Sequence, residues 1–262
     1  MPGSPLHLTP LHGIPLVRPG DDLVEMILQA LSQAKIRLED GDILVLAQKI
    51  VSKSEGRLVN LSEVFPSQPA LELAEQTGKD PRLVELILRE SRQVLRTKPG
   101  VIIVEHRLGF ICASAGIDHS NVKGIIEKPG DQPEEWVLLL PQDPDASAQR
   151  IRSGLEAASG ARIGVLIIDS HGRAWRMGTV GVAVGLSGLP GLMDMRGWPD
   201  LFDFRLQITQ VGVADELAAA ASLVMGQAAE GTPVVHARGF PYPLREASFS
   251  ELLRPPEQDL FR

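Results

Sequence analysis

Two short apolar runs constrain this chain more than any other feature. Ile43–Ala47 reads Ile-Leu-Val-Leu-Ala between Asp42 and Gln48, and residues 163–168 read Ile-Gly-Val-Leu-Ile-Ile ahead of Asp169. A strand wet on one side alternates apolar with polar residues, whereas a run with no polar position is covered on both faces. Helices must supply that cover, so the expected fold class is α/β, with mixed sheets.

Helical signals are spaced around the two runs. Asp21-Asp22 offer an N-cap to a segment carrying Leu23, Ile27, Leu28 and Leu31. Residues 69–77 and 81–92 each begin with a proline and meet at Gly78-Lys79-Asp80, which predicts a helical pair. Asp143-Pro144-Asp145 opens a helix that Gly160 stops, and the Ala-rich Val213–Met225 carries Asp215-Glu216 in its first turn. Strand signals are shorter: one near Leu6 running into a loop that ends at Arg18, a hairpin over residues 101–115, and a strand over 136–140. Residues 123–135 read as a surface excursion, and the charged, Pro-rich tail after Pro241 as partly disordered. The expected organisation is a domain over residues 1–240, with a subdomain boundary near 186–198, and a tail over 241–262.

Composition narrows the function classes. The 262 residues include 26 basic and 33 acidic side chains, a net charge of −7, and only 4% are aromatic. That charge has the wrong sign for gathering phosphate backbone and so few rings make no stacking platform, so nucleic acid is not the expected partner. No uncharged apolar run reaches membrane-spanning length and the N-terminus has no export pattern. With a single cysteine, Cys112, read as a small buried hydrophobe, a reducing cytoplasm is the expected compartment.

Three polar stretches follow strong apolar elements: 116–121 around Asp118, Asp169-Ser170-His171-Gly172, and 226–231 around Gln227. Each is read as a loop, where scaffolds display ligand groups. Asp118 and Asp169 are the natural pair for a divalent cation that bridges phosphate oxygens. An isolated Asp more often caps a turn, a glycine-flanked stretch such as 226–231 more often follows a helix end, and Lys53 after a strand more often meets solvent. Spacing does not separate these readings. Arg173 and Arg176 are placed either as a clamp for an anion or as a basic stripe beside Trp175. His12, His119 and His171 read as ordinary hydrogen-bonding histidines, and no Gly-x-Ser-x-Gly elbow supports a serine hydrolase.

Taken in order, the motifs carry more information than any one of them. The set comprises His12-Gly13-Ile14-Pro15, Gly41-Asp42-Ile43, Val51-Ser52-Lys53-Ser54-Glu55-Gly56, Ala115-Gly116-Ile117-Asp118-His119-Ser120-Asn121-Val122, Leu140-Pro141 with Asp143-Pro144-Asp145, Ile168-Asp169-Ser170-His171-Gly172-Arg173, and Met225-Gly226. It resembles the coenzyme F420-0:L-glutamate ligase family over nearly the whole chain. The length matches the single-module form, without the nitroreductase-like domain of some relatives.

The resemblance implies a family-specific fold of two intertwined subdomains, a homodimer, and GTP-dependent addition of L-glutamate to F420-0, then of further γ-linked glutamates. It implies that Asp118, Asp169, Ser170 and Gln227 hold two divalent cations, Mg²⁺ or Mn²⁺, with K⁺ as a further ion. GTP contacts are implied for His12, Gly13, Ile14, Pro15, Gln48, Lys53, Asn121, Met225, Gly226, Gln227, Ala228, Ala229, Glu230, Gly231 and Thr232. Asp118, Asp169 and Lys53 are the implied catalytic residues. The chain departs from the pattern at His171, where archaeal relatives have Asn, at Gln48-Lys49, which replaces a Ser-Thr pair, and at Gln227, where some have Glu. An amide ligase with another acid acceptor and a non-catalytic nucleotide-binding protein are the alternative readings.

Overall fold

The structure is a computed structural model that describes residues 5–122 and 135–259. The excursion expected over 123–135 lies outside the described residues except for Glu135. In chain order the first elements are β1 (His7–Pro10), α1 (Leu23–Gln33), β2 (Ile43–Ala47), α2 (Gln48–Ser54) and β3 (Leu58–Asn60). Then follow α3 (Gln68–Thr77), α4 (Pro81–Arg89), β4 (Ser91–Lys98), β5 (Val101–His106), β6 (Ile111–Ala113), β7 (Trp136–Leu138) and α5 (Pro144–Ser159). The remainder comprises β8 (Gly164–Arg173), β9 (Arg176–Ser187), β10 (Met193–Asp194), β11 (Gln210–Val211), α6 (Val213–Met225) and β12 (Val234–Arg238).

Both apolar runs lie inside a five-stranded sheet of order β1-β12-β2-β8-β9. The β2 and β8 strands pair in parallel, Ala47 opposite Ile168, and the other pairings are antiparallel. Because side chains alternate along a strand, Leu44, Leu46, Val165 and Ile167 face α1 and α5, packing on Ile27, Leu31, Ile151 and Leu155. Their neighbours Ile43, Val45, Leu166 and Ile168 face α6, packing on Ala214, Leu217, Ala218 and Ala221. Each fully buried leucine of these layers contributes about 2 kcal/mol of apolar transfer. The mixed sheet covered on both faces is the α/β architecture expected from the two runs.

Helix ends follow their caps. Asp22 accepts from the backbone N–H groups of Val24 and Glu25, Asp143 accepts from that of Ala146, and Gly160 closes α5 at φ 74°. A second core lies between α2 and α5 in sequence. There α3 and α4 pack with the β4-β5-β6 sheet and the β3-β7 pair around Ala70, Val84, Ile87, Ile102, Val104 and Val137. Phe110 packs against both this core and the layer under α1 and α5.

Several elements differ from expectation. Residues 169–172 are not a loop: β8 runs on through Arg173, with Asp169, Ser170 and His171 opposite Val182, Gly181 and Val180 of β9. The β9 strand is glycine-rich because helices press on it. A Cβ on Gly181 would stand 2.6 Å from the Ala218 carbonyl oxygen, and one on Gly185 would stand 2.4 Å from Pro144 Cβ. Lys53 does not trail from a strand but sits in the last turn of α2. The helix over 81–92 ends at Arg89, and Ser91 starts β4, a charged strand interrupted by register shifts. The described part of the tail, up to Asp259, is packed, with Phe249 and Leu252 against the α6 layer, Glu246 paired with Arg152, and Glu251 with Arg245.

Candidate active site

Ligands in open α/β sheets gather at the carboxyl ends of parallel strands. Here those ends are Ala47, which leads into Gln48 and α2, and Ile168, which leads into Asp169. The β12 strand enters the sheet beside them, so the stretch 226–232 lies at the same edge, where Ala47 N–H donates to the Pro233 carbonyl. Residues 12–15 leave β1 at this edge as well, beyond β12, Leu11 N–H donating to the Val234 carbonyl.

Asp118 reaches the edge from the second core. Its N–H and carbonyl pair with Leu138 at 3.0 and 2.9 Å, and the turn before it takes positive φ at Ser114, Ala115 and Gly116. Such a backbone is strained for residues bearing a Cβ and persists where the surroundings hold it. Its carboxylate meets α2: Gln48 Nε2 donates to Oδ2 at 2.7 Å and Lys49 Nζ stands 3.0 Å from Oδ1. Burial, and then the charge of Asp169, push the Asp118 carboxyl above its ordinary range, although Lys49 and Gln48 pull it down.

Asp169 is the second carboxylate. Burial pushes it up, but the His171 hydrogen bond and charge, the Ser170 backbone N–H and Lys49 outweigh that and hold it below its ordinary range. His171 Nε2 lies 3.0 Å from Asp169 Oδ2, and its ring packs on Phe110 with centroids 5.3 Å apart. Phe110 is itself stacked on the buried His106 at 5.0 Å. Cys112 is buried nearby; burial, and then Asp169, push its thiol up to about 12, so it stays protonated.

The other two proposed ligands meet directly: Ser170 Oγ donates to Gln227 Oε1 at 2.7 Å, and Gln227 Nε2 donates back to Ser222 Oγ of α6 at 2.9 Å. Lys53 Nζ donates to the Asn121 carbonyl at 2.8 Å, and Asn121 Nδ2 donates to the Ala228 carbonyl at 3.0 Å. Burial and the nearness of Lys49 both push Lys53 below its ordinary range, while Asp118 opposes them. Ala228 N–H donates to Glu230, and Thr232 Oγ1 to the Met225 carbonyl, which folds 225–232 on itself. Gln48, Lys53, Asp118, Asn121, Asp169, Ser170, Gln227 and Ala228 are thus brought to one edge. His119 is exposed, and Arg173 and Arg176 pair at the exposed tip of the β8–β9 ribbon beside Trp175.

In the sequence Lys49 stands out only as half of the Gln48-Lys49 departure and Ser120 only as a member of the 115–122 motif, with no site role given to either. Lys49 Nζ donates to the Ser120 carbonyl at 3.1 Å and Oγ at 3.0 Å. The signal was the spacing of Lys49 and Lys53, one helical turn apart, which becomes visible once 48–54 is a helix.

The donors are all oxygens, two carboxylates, a hydroxyl and a side-chain amide, and suit a hard cation such as Mg²⁺ or Mn²⁺. Among the described residues no group of three or more His, Cys, Asp and Glu is assembled for a metal. Two carboxylates with neutral oxygens fit an ion that takes its remaining ligands from water and substrate phosphates.

The sequence pattern of the family described as F420-0:Gamma-glutamyl ligase matches residues 13–239. The chain is 49% identical to the coenzyme F420:L-glutamate ligase of Methanothermobacter thermautotrophicus, covering 98% of this chain and 99% of that protein. It is 47% identical to the protein of the same name from Methanopyrus kandleri, over 94% and 93% of the two chains. With that of Archaeoglobus fulgidus it shares 40% over 97% and 95%. Full-length similarity at this level, on top of the family pattern, leads to one conclusion: the chain belongs to the F420-0:gamma-glutamyl ligase family.

Proposed function

We propose that this chain is a GTP- and divalent-metal-dependent ligase that joins L-glutamate to coenzyme F420-0 through an acyl phosphate and then adds further γ-linked glutamates. The observation that carries the reading is the convergence, in a member of this family, of Asp118, Asp169, Ser170 and Gln227 beside Lys49 and Lys53. Bound Mg²⁺ or Mn²⁺ would supply charge neutralisation for the transferred phosphoryl group. Asp118 and Asp169 would hold the ion, with Ser170 and Gln227 as neutral donors.

A carboxylate does not condense with an amine at neutral pH, so the acceptor carboxylate first takes the γ-phosphoryl group of GTP and GDP leaves. The amine of glutamate then attacks the acyl carbon, loses a proton, and phosphate departs with the C–O bond electrons. Lys53, and the backbone of 226–231, would neutralise and orient the phosphates. Asn121 would keep 226–231 against the Asp118 turn through its bond to Ala228. No nucleophilic side chain takes part.

We further propose that the enzyme acts as a cytoplasmic homodimer. Exposed Trp198, Leu201, Phe202, Phe204 and Ile208 between β10 and β11 support a protein partner, since so much apolar surface in one short segment marks an interaction site. No described helix is long and apolar enough to cross a membrane, and the free, buried Cys112 suits a reducing compartment.

Incubation with GTP, Mn²⁺, F420-0 and L-glutamate tests the activity. GDP and a product heavier by one glutamyl unit are expected, and Asp169→Ala should abolish both. A folded wild-type protein that releases no GDP would sink the ligase reading. GDP without a glutamylated F420 product would point to another acceptor.

A further inference from the structure

We propose that Lys49 is a resident counter-ion: its ammonium neutralises Asp118 until a divalent cation displaces it, and it then turns to the phosphates of the nucleotide. The inference rests on the metal reading above and deepens it. Lys49 Nζ is surrounded by Asp118 Oδ1 at 3.0 Å, the Ser120 carbonyl at 3.1 Å and Ser120 Oγ at 3.0 Å. Those contacts engage all three of its N–H donors.

Both oxygens of Asp118 are therefore taken by this chain's own groups. Oδ2 accepts from Gln48 Nε2, and Gln48 is 1% exposed with its Oε1 held by Ser52 Oγ at 2.8 Å. Gln48 is fixed. Lys49 has a flexible four-carbon stem and a side chain 25% exposed, so Oδ1 is the oxygen that can be vacated. Asp169 places a second negative charge beside Asp118, which makes exchange of a single positive charge for a double one favourable. Lys53, bonded to the Asn121 carbonyl, keeps its place in the next turn of α2. A displaced Lys49 would join it as a second cation facing the phosphates.

The consequence is an opposed pair of effects. Removing the ammonium removes a competitor of the metal and a partner of the nucleotide, so metal affinity rises while nucleotide affinity falls. A residue of structural importance alone would lower both. The test titrates Mn²⁺ into nucleotide-free protein, following free ion by electron paramagnetic resonance, then titrates GTP at saturating Mn²⁺. Wild type, Lys49→Met and Lys49→Gln are compared, with thermal melting to confirm folding and Lys49→Gln serving if Lys49→Met does not fold. We expect Mn²⁺ to bind the variant about fivefold tighter and GTP about tenfold more weakly. Equal or weaker Mn²⁺ binding by the folded variant overturns the counter-ion role alone, whereas no Mn²⁺ uptake by wild type overturns it together with the metal site.

Discussion

His171 and Asp169 stand two residues apart on one face of β8, with Nε2 of the ring 3.0 Å from Oδ2 of the carboxylate. A ligand carboxylate that also accepts a hydrogen bond is held in one orientation, and loss of such a partner lowers metal affinity about tenfold or more. His171→Ala is expected to weaken Mn²⁺ binding by about tenfold with the fold retained. Calorimetric titration beside a melting curve checks this, and an unchanged affinity would show that the ring does not orient Asp169.

Asn121 joins the Asp118 turn to the stretch after α6 by its bond to the Ala228 carbonyl, and is itself exposed. Asn121→Ala should raise KM for GTP about fivefold, the equivalent of one ordinary hydrogen bond, and change kcat by less than about twofold. Steady-state kinetics with GTP varied separates this from a fall in kcat, which would place Asn121 in the chemistry instead.

At the opposite end of the central sheet, Asp42 is buried and accepts from Arg238 Nε and Nη2 at 2.8 and 2.7 Å, with His236 Nε2 at 2.8 Å from its Oδ2. Burial pushes this carboxyl up, but Arg238, His236 and the Glu39 N–H outweigh it and hold it well below the ordinary value of 3.8. A group whose folded pKa is depressed stabilises fully above its unfolded pKa and loses that stabilisation as pH falls through the folded one. Asp42→Asn is therefore expected to cost about 3 kcal/mol near neutral pH and much less at low pH. Urea melts at a series of pH values below 7 check it. A loss that stays constant down the series would mean that the charge of Asp42 is irrelevant.

Gly181 allows β9 to touch α6, where a Cβ would stand 2.6 Å from both the Ala218 carbonyl oxygen and Ser222 Cβ. Gly181→Ala should destabilise by about 2 kcal/mol through that overlap. Since Ser222 holds Gln227, it should also weaken Mn²⁺ binding. A melting temperature and a Mn²⁺ titration that both match wild type would show that α6 yields without consequence.

The parts of this fold that were legible carry their own punctuation. Ile43–Ala47 and 163–168 announce strands by lacking any polar position, α5 begins and ends where Asp143 and Gly160 place it, and α6 stops at Gly226. What escaped lacks such marks. The β9 strand spends positions 181 and 185 on glycine to admit α6 and α5, so its apolar alternation is diluted. Helix α2 has seven residues, β-branched Ile50 and Val51, and no side-chain N-cap, and without it the place of Lys49 beside Asp118 is not legible. Asp169-Ser170-His171-Gly172 looked like a loop because polarity marks a strand's end only where the sheet ends, and β9 carries the ribbon further.

Asp118 is borne by one hydrophobic core and Asp169 by the other, with Phe110 wedged between the two. An occupant that grips both carboxylates would rivet the two halves of the chain, and its departure would leave only the single charge of Lys49 against two carboxylates at the joint. The protein would then be stiffest when loaded, and hydrogen exchange along β6 and β8 should slow together as the ion binds.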